Sequence, residues 1–118
     1  MIDLRGTWRL VDLGGLAPAT AGGAPVVLTF DGDGQVYGMA GVNRVRGTFE
    51  VDEDGTLRLG PMASTMMAGP DGAMATERAV LELLAEPLRV AADDGGLVLT
   101  ALDGVVARLA PYAEPTTA

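Results

Sequence analysis

A succession of Asp-Gly turns divides this chain into short alternating segments, and that pattern confines it to antiparallel sheet more firmly than any other feature. Asp31-Gly32-Asp33-Gly34, Asp52-Glu53-Asp54-Gly55, Asp93-Asp94-Gly95-Gly96 and Asp103-Gly104 each separate two apolar runs. Glycine accepts the positive φ that hairpin turns need, and aspartate bonds the amides of its own turn. The clearest run places Val45, Gly47, Phe49 and Val51 in alternation with Arg44, Arg46, Thr48, Glu50 and Asp52. Residues 4–13, 26–30, 35–40, 56–60, 88–92, 97–102 and 105–110 read as further strands. In the first of them Leu4, Trp8 and Leu10 share a side, with Trp8 the expected core anchor.

One segment departs from this period. After the breaker Gly69-Pro70-Asp71-Gly72, the residues Met74, Glu77, Arg78, Leu81 and Leu84 fall at helical spacing, and Pro87 stops the run. The spacing predicts one helix over about 74–86. The fold class that follows is β-rich α+β: a curved antiparallel sheet, or incomplete barrel, of about eight short strands with the helix packed on it. A chain of 118 residues suits one core. The domain is expected at 1–111, with 112–118, rich in Pro, Thr and Ala, as a flexible C-terminal tail. Arg5-Gly6-Thr7-Trp8-Arg9-Leu10-Val11-Asp12 is echoed by Arg46-Gly47-Thr48-Phe49-Glu50-Val51-Asp52, as a vestigial repeat or as the same strand grammar used twice.

Composition excludes much chemistry. The net charge is −8, every basic residue is Arg, and such a surface repels nucleic-acid phosphates and anionic headgroups, although acidity also serves solubility alone. Cysteine and histidine are absent, which removes disulfides, thiolate metal sites and any Ser-His-Asp triad. The Asp-rich turns fail as calcium loops, because the position of the bidentate glutamate falls on Val42 or Ala63. Gly38-Met39-Ala40-Gly41 leads into a strand, whereas a phosphate-binding glycine loop opens a helix. No catalytic residue, cofactor or metal is expected. The uncharged stretch 13–30 is interrupted by Pro18, Pro25 and several glycines, so no membrane span is expected. The start Met1-Ile2-Asp3-Leu4-Arg5 does not read as a signal peptide, and there is no cysteine to lipidate.

The candidate functional residues are few. Met62, Met66, Met67 and Met74 cluster around the start of the helix, and with Met39 they either fill core or line an apolar pocket or partner surface. Glu77 lies on the helical stripe of Met74 and Leu81, which implies burial with a structural hydrogen bond or an ion pair to Arg44 or Arg46. Ser64 and Thr65 have no imidazole partner and are expected to bond backbone at a sheet edge. The partner is an apolar small molecule or a protein. An enzyme working through carboxylates would need two acids converging in one cleft.

Several segments together resemble the META domain, the family of the HslJ-type bacterial heat-shock proteins. They are Leu4-Arg5-Gly6-Thr7-Trp8-Arg9-Leu10-Val11, Leu28-Thr29-Phe30-Asp31, Val36-Tyr37-Gly38-Met39-Ala40-Gly41-Val42-Asn43-Arg44, Leu59-Gly60-Pro61-Met62-Ala63-Ser64-Thr65-Met66-Met67-Ala68 and the helix bearing Glu77. The resemblance implies a barrel-like antiparallel sheet with a helix, similar to a lipid-binding pilotin of type III secretion. It also implies an envelope or secreted setting, and a non-catalytic domain binding an apolar ligand in stress or envelope physiology. A protein-interaction or inhibitor module using a sheet edge or apolar patch is the alternative. The family's Gly-Cys-Asn turn is Gly41-Val42-Asn43 here, and its Met-Ala-Cys-Pro is Met67-Ala68-Gly69-Pro70. The joint loss of both cysteines implies that Val42 and Gly69 lie close together.

Overall fold

The structure is a computed structural model and describes residues 4–15, 17–19 and 24–112. Among these described residues nine strands form: β1 (Gly6–Leu13), β2 (Val27–Phe30), β3 (Gln35–Met39), β4 (Arg44–Val51), β5 (Thr56–Leu59), β6 (Ala63–Ser64), β7 (Leu88–Asp93), β8 (Gly96–Ala101) and β9 (Val106–Pro111), with the helix α1 (Asp71–Leu84) between β6 and β7. The turn aspartates act as their chemistry predicts. Asp31 Oδ1 accepts from the amides of Asp33 and Gln35, both at 2.9 Å, Asp54 Oδ1 from Thr56 at 3.1 Å and Asp103 Oδ1 from Val105 at 3.0 Å.

Every strand pair is antiparallel, and the ring runs β1-β2-β3-β4-β5-β7-β8-β9 and returns to β1. The expected sheet therefore closes completely into an eight-stranded barrel, with β6 as a short continuation of β5 along β4. Closure depends on two eight-residue strands. β1 pairs β2 through Gly6–Arg9 and β9 through Trp8–Leu13, with a bulge between Leu10 and Asp12. β4 pairs β3 through Arg44–Thr48 and β5 through Phe49–Val51. Each long strand is offset between its two neighbours, which supplies the stagger a closed barrel needs. The two segments that echo each other in sequence fall on these two strands.

Inward side chains fill the barrel. Val36, Leu57, Leu88 and Ala107 are fully buried, and Phe30 meets Phe49 edge to face at 4.9 Å. Burying a leucine or phenylalanine in this way stabilises the fold by about 1.5–3 kcal/mol relative to exposure. Trp8 packs at the margin of this core, its indole nitrogen donating to the Leu4 carbonyl at 2.8 Å.

The helix starts at Asp71, three residues before the position read from sequence. Pro70 serves as its N-cap residue with φ −57°, its carbonyl receives the Met74 amide at 2.9 Å, and Asp71 sits favourably in the first turn. The Gly-Pro-Asp-Gly segment thus breaks the strand and opens the helix. Its buried residues are Ala73, Glu77, Val80, Leu83 and Leu84, while Arg78 is exposed and Met74 and Leu81 are half-buried. The helix ends near Ala85, two residues before Pro87. It plugs one mouth of the barrel, meeting the β3–β4 turn on one side and Leu13, Ala101 and Val105 on another. Among the described residues no helix is long and apolar enough to cross a membrane. Tyr112 donates its amide to Thr7 at 2.9 Å, and the rest of the expected tail, 113–118, lies outside the described residues.

Candidate binding site

The plugged mouth is organised by one buried carboxylate. Gly41, at φ +148°, brings the β3–β4 turn against the helix, where a Cβ would stand 2.7 Å from the Ala73 carbonyl oxygen and 3.1 Å from the Glu77 nitrogen. No other residue fits there. The approach lets the amides of Val42 and Asn43 donate to Glu77 Oε1 at 3.0 and 2.5 Å, while Asn43 Nδ2 donates to Oε2 at 2.7 Å. Burial pushes the Glu77 pKa up, but the hydrogen bonds from the Asn43 side chain and from the Asn43 and Val42 amides outweigh it and hold the group below its ordinary value. Glu77 is thus an ionised anchor with its oxygens engaged.

Its partners differ from those expected. Arg44 and Arg46 point outward on either side of the buried Val45, so alternation along β4 carries both away from the helix. Arg46 donates instead to Gln35 Oε1 at 3.0 Å. Of the two expected alternatives the structural hydrogen bond is the one formed, supplied by backbone amides and one asparagine in place of an ion pair to Arg44 or Arg46.

Asn43 extends the anchor to a third segment. It is 3% exposed, and its Oδ1 accepts from Thr65 Oγ1 at 2.9 Å and from the Met67 amide at 2.7 Å, while Nδ2 also donates to the Met67 carbonyl at 3.0 Å. Thr65 Oγ1 in turn accepts the Arg44 amide at 3.1 Å, in keeping with the backbone role expected for it at a sheet edge. All the hydrogen-bonding capacity of the Asn43 side chain is used. The segment 65–69 is therefore strapped over the turn. Val42 and Gly69 meet beneath it, a Cβ on Gly69 falling 3.5 Å from that of Val42 and 2.6 Å from its Cγ2. This is the proximity implied by the missing cysteine pair.

The five candidate methionines occupy different surroundings. Met66 and Met67 project from the strap into solvent, 92% and 57% exposed. Met62 packs against the core and lines an open groove of about 480 Å³ with Leu59, Pro61, Leu81 and Leu84, and Met66 and Met67 lie outside it. Met74 is half-buried in the first turns of α1, and Met39 is half-buried on the outer wall of β3. Of the hub, Glu77 is marked in the sequence by its place on the apolar stripe of the helix, whereas Asn43 carries no signal of its role beyond a polar residue in an apolar turn.

A closed, helix-plugged antiparallel barrel in which a buried carboxylate pins a turn and a strap defines a class of small β-barrel domains. The chain belongs to the META domain family, whose model matches residues 2–113. Among solved structures it is similar to a protein from Burkholderia xenovorans determined by NMR, with TM-score 0.76 and 24% identity over 94% of this chain and 85% of that one. It is also similar to a DUF4847 family protein from Bacteroides vulgatus determined by crystallography, with TM-score 0.62 and 18% identity over 95% of this chain and 96% of that one. These likenesses are likenesses of fold. A search of curated protein sequences finds no match.

Proposed function

We propose that this META domain is a non-catalytic binding module that docks an apolar segment of a partner protein on the strap bearing Met66 and Met67. The observation that supports the reading is the contrast between their side chains and their backbone. Two large apolar side chains stand in water, while the backbone of Met67 is bonded at both its amide and its carbonyl to a buried asparagine. A polarizable, unbranched side chain on a fixed backbone adapts to a partner surface with little loss of backbone entropy. The envelope setting and stress role implied by the family belong to this proposal.

A second reading has its own support. The groove beside Met62 is apolar and of a size suited to a small hydrophobe. Methionine-methyl NMR separates the two by titration with a short leucine-rich extended peptide and, separately, with dodecanoate. The docking reading expects the peptide to shift the Met66 and Met67 methyls, an effect lost in M66S/M67S. A dodecanoate response at Met62, with Met66 and Met67 silent to the peptide, overturns it in favour of the groove.

A further inference from the structure

The outer wall of the barrel carries a second surface of opposite chemistry. Strand register aligns Arg9, Val27, Met39 and Arg44 in one row across β1, β2, β3 and β4, and Thr29, Tyr37 and Arg46 in the next. Inward neighbours Leu28, Val36 and Val45 are buried, so these residues face out. All three arginines are exposed, and the Arg46 guanidinium lies 5.6 Å from the centre of the Tyr37 ring. Neither row contains a carboxylate, in a chain with 16 acids against 8 arginines.

Two other arginines on the wall are paired with carboxylates, whereas Arg89 on β7 is exposed without such a pair among the described residues. Arg58 pairs with Asp52 at 2.7 Å and Arg108 with Asp93 at 3.0 Å. Among the described residues Arg9, Arg44 and Arg46 have no carboxylate partner. Tyr37, Met39 and Val27 lie between them as an apolar floor, half-exposed or half-buried.

We propose that this wall docks an extended acidic segment of a partner protein with the pattern acid-x-apolar-x-acid. Its spacing follows from strand geometry. Three strand-to-strand steps separate Arg9 from Arg44, about 14 Å, which matches four residues of extended chain at about 3.4 Å each. In such a chain the first, third and fifth side chains share a face. The outer carboxylates then meet Arg9 and the Arg44–Arg46 pair, and the central apolar residue rests on Val27 and Met39. Guanidinium forks suit carboxylates in this role. A long polyanion or an anionic membrane would also meet the acidic turns at Asp31, Asp33 and Asp52–Asp54, whereas a short segment feels only the local charge. The surface adjoins the strap, where Thr65 is bonded to the backbone of Arg44, but none of the side chains it uses is Met66 or Met67.

The test is an amide NMR titration at low salt with a capped glutamate-serine-leucine-serine-glutamate peptide. The proposal expects shifts confined to β1–β4 around Val27, Tyr37, Met39, Arg44 and Arg46, with a Kd of about 1 mM, as exposed ion pairs allow. R44E/R46E should weaken binding about tenfold or more, R9E should weaken it independently, and the glutamine version of the peptide should not bind. Because these side chains are exposed, the variants' unperturbed spectra serve as the folding control. Shifts at the strap or groove, or binding indifferent to R44E/R46E, overturn the proposal. So does an equal response to oligothymidylate or phosphatidylserine vesicles, which assigns the wall to polyanions. Self-association abolished by R44E/R46E assigns it to a second copy and likewise overturns it. Only shifts at the strap would bear on Met66 and Met67, and the other results leave that reading untouched.

Discussion

At the scale of single residues, Glu77 and Asn43 show how a buried polar pair replaces apolar packing where three segments meet. The sequence marks Glu77 as buried, because it sits on the apolar stripe of the helix. It does not mark the partners, which are amides some 34 and 35 positions away and carry no side-chain signal. Arg44 and Arg46 are not among them, because strand alternation along β4 turns both outward. The pairing makes a signed prediction. The folded-state pKa of Glu77 lies below its ordinary 4.5, so the unfolded chain takes up the proton first. The contribution is fully present above that value and is lost as pH falls through the folded pKa. Urea unfolding between about pH 6 and 3 should show this decline, and E77Q should flatten it. At neutral pH, E77Q should cost about 2–3 kcal/mol, because its new NH2 group faces the Asn43 donor. An E77Q protein as stable as the parent, with unchanged pH dependence, would contradict the anchor role.

Elements were legible to the degree that their signals are local. Period-two runs and Asp-Gly turns announce the strands, and Pro87 announces the end of the helix. The helix starts three residues before its spacing implies, because Pro70 both ends an extended segment and caps the helix. The contact between the β3–β4 turn and the strap was legible through family resemblance alone, since nothing in the spacing of Val42 and Gly69 implies it. That contact has a direct test. The Cβ positions are 3.5 Å apart, within the range a disulfide spans, and replacing Val42 removes the γ-carbons that now crowd Gly69. V42C/G69C should therefore oxidise without reshaping the mouth and raise stability by about 3 kcal/mol relative to its reduced form. A pair that stays reduced under mild oxidant, or a bridge that lowers the melting temperature, would show that the turn and strap are not so placed.

On the scale of the whole molecule, closure decides where binding can occur. It depends on long-range pairings, β1 with β9 and β5 with β7, which no local pattern specifies, so local signals alone imply no more than a curved sheet or incomplete barrel. A closed barrel hides the backbone edges that open sheets offer to partners. What remains is the plugged mouth and the outer wall, and the mouth is held by Asn43 and Glu77 to both the barrel and the helix. If that hub fixes the strap, Met67 belongs to the same cooperative unit as the core although its side chain is in solvent. Native-state hydrogen exchange at the Met67 amide, which donates to Asn43 Oδ1, measures this most directly. The structure predicts that it opens with the same free energy as the core amides of Leu99 and Val36. Exchange at the rate of an unprotected loop while the core stays protected would mean that the strap opens on its own and that Met66 and Met67 are not held out for a partner.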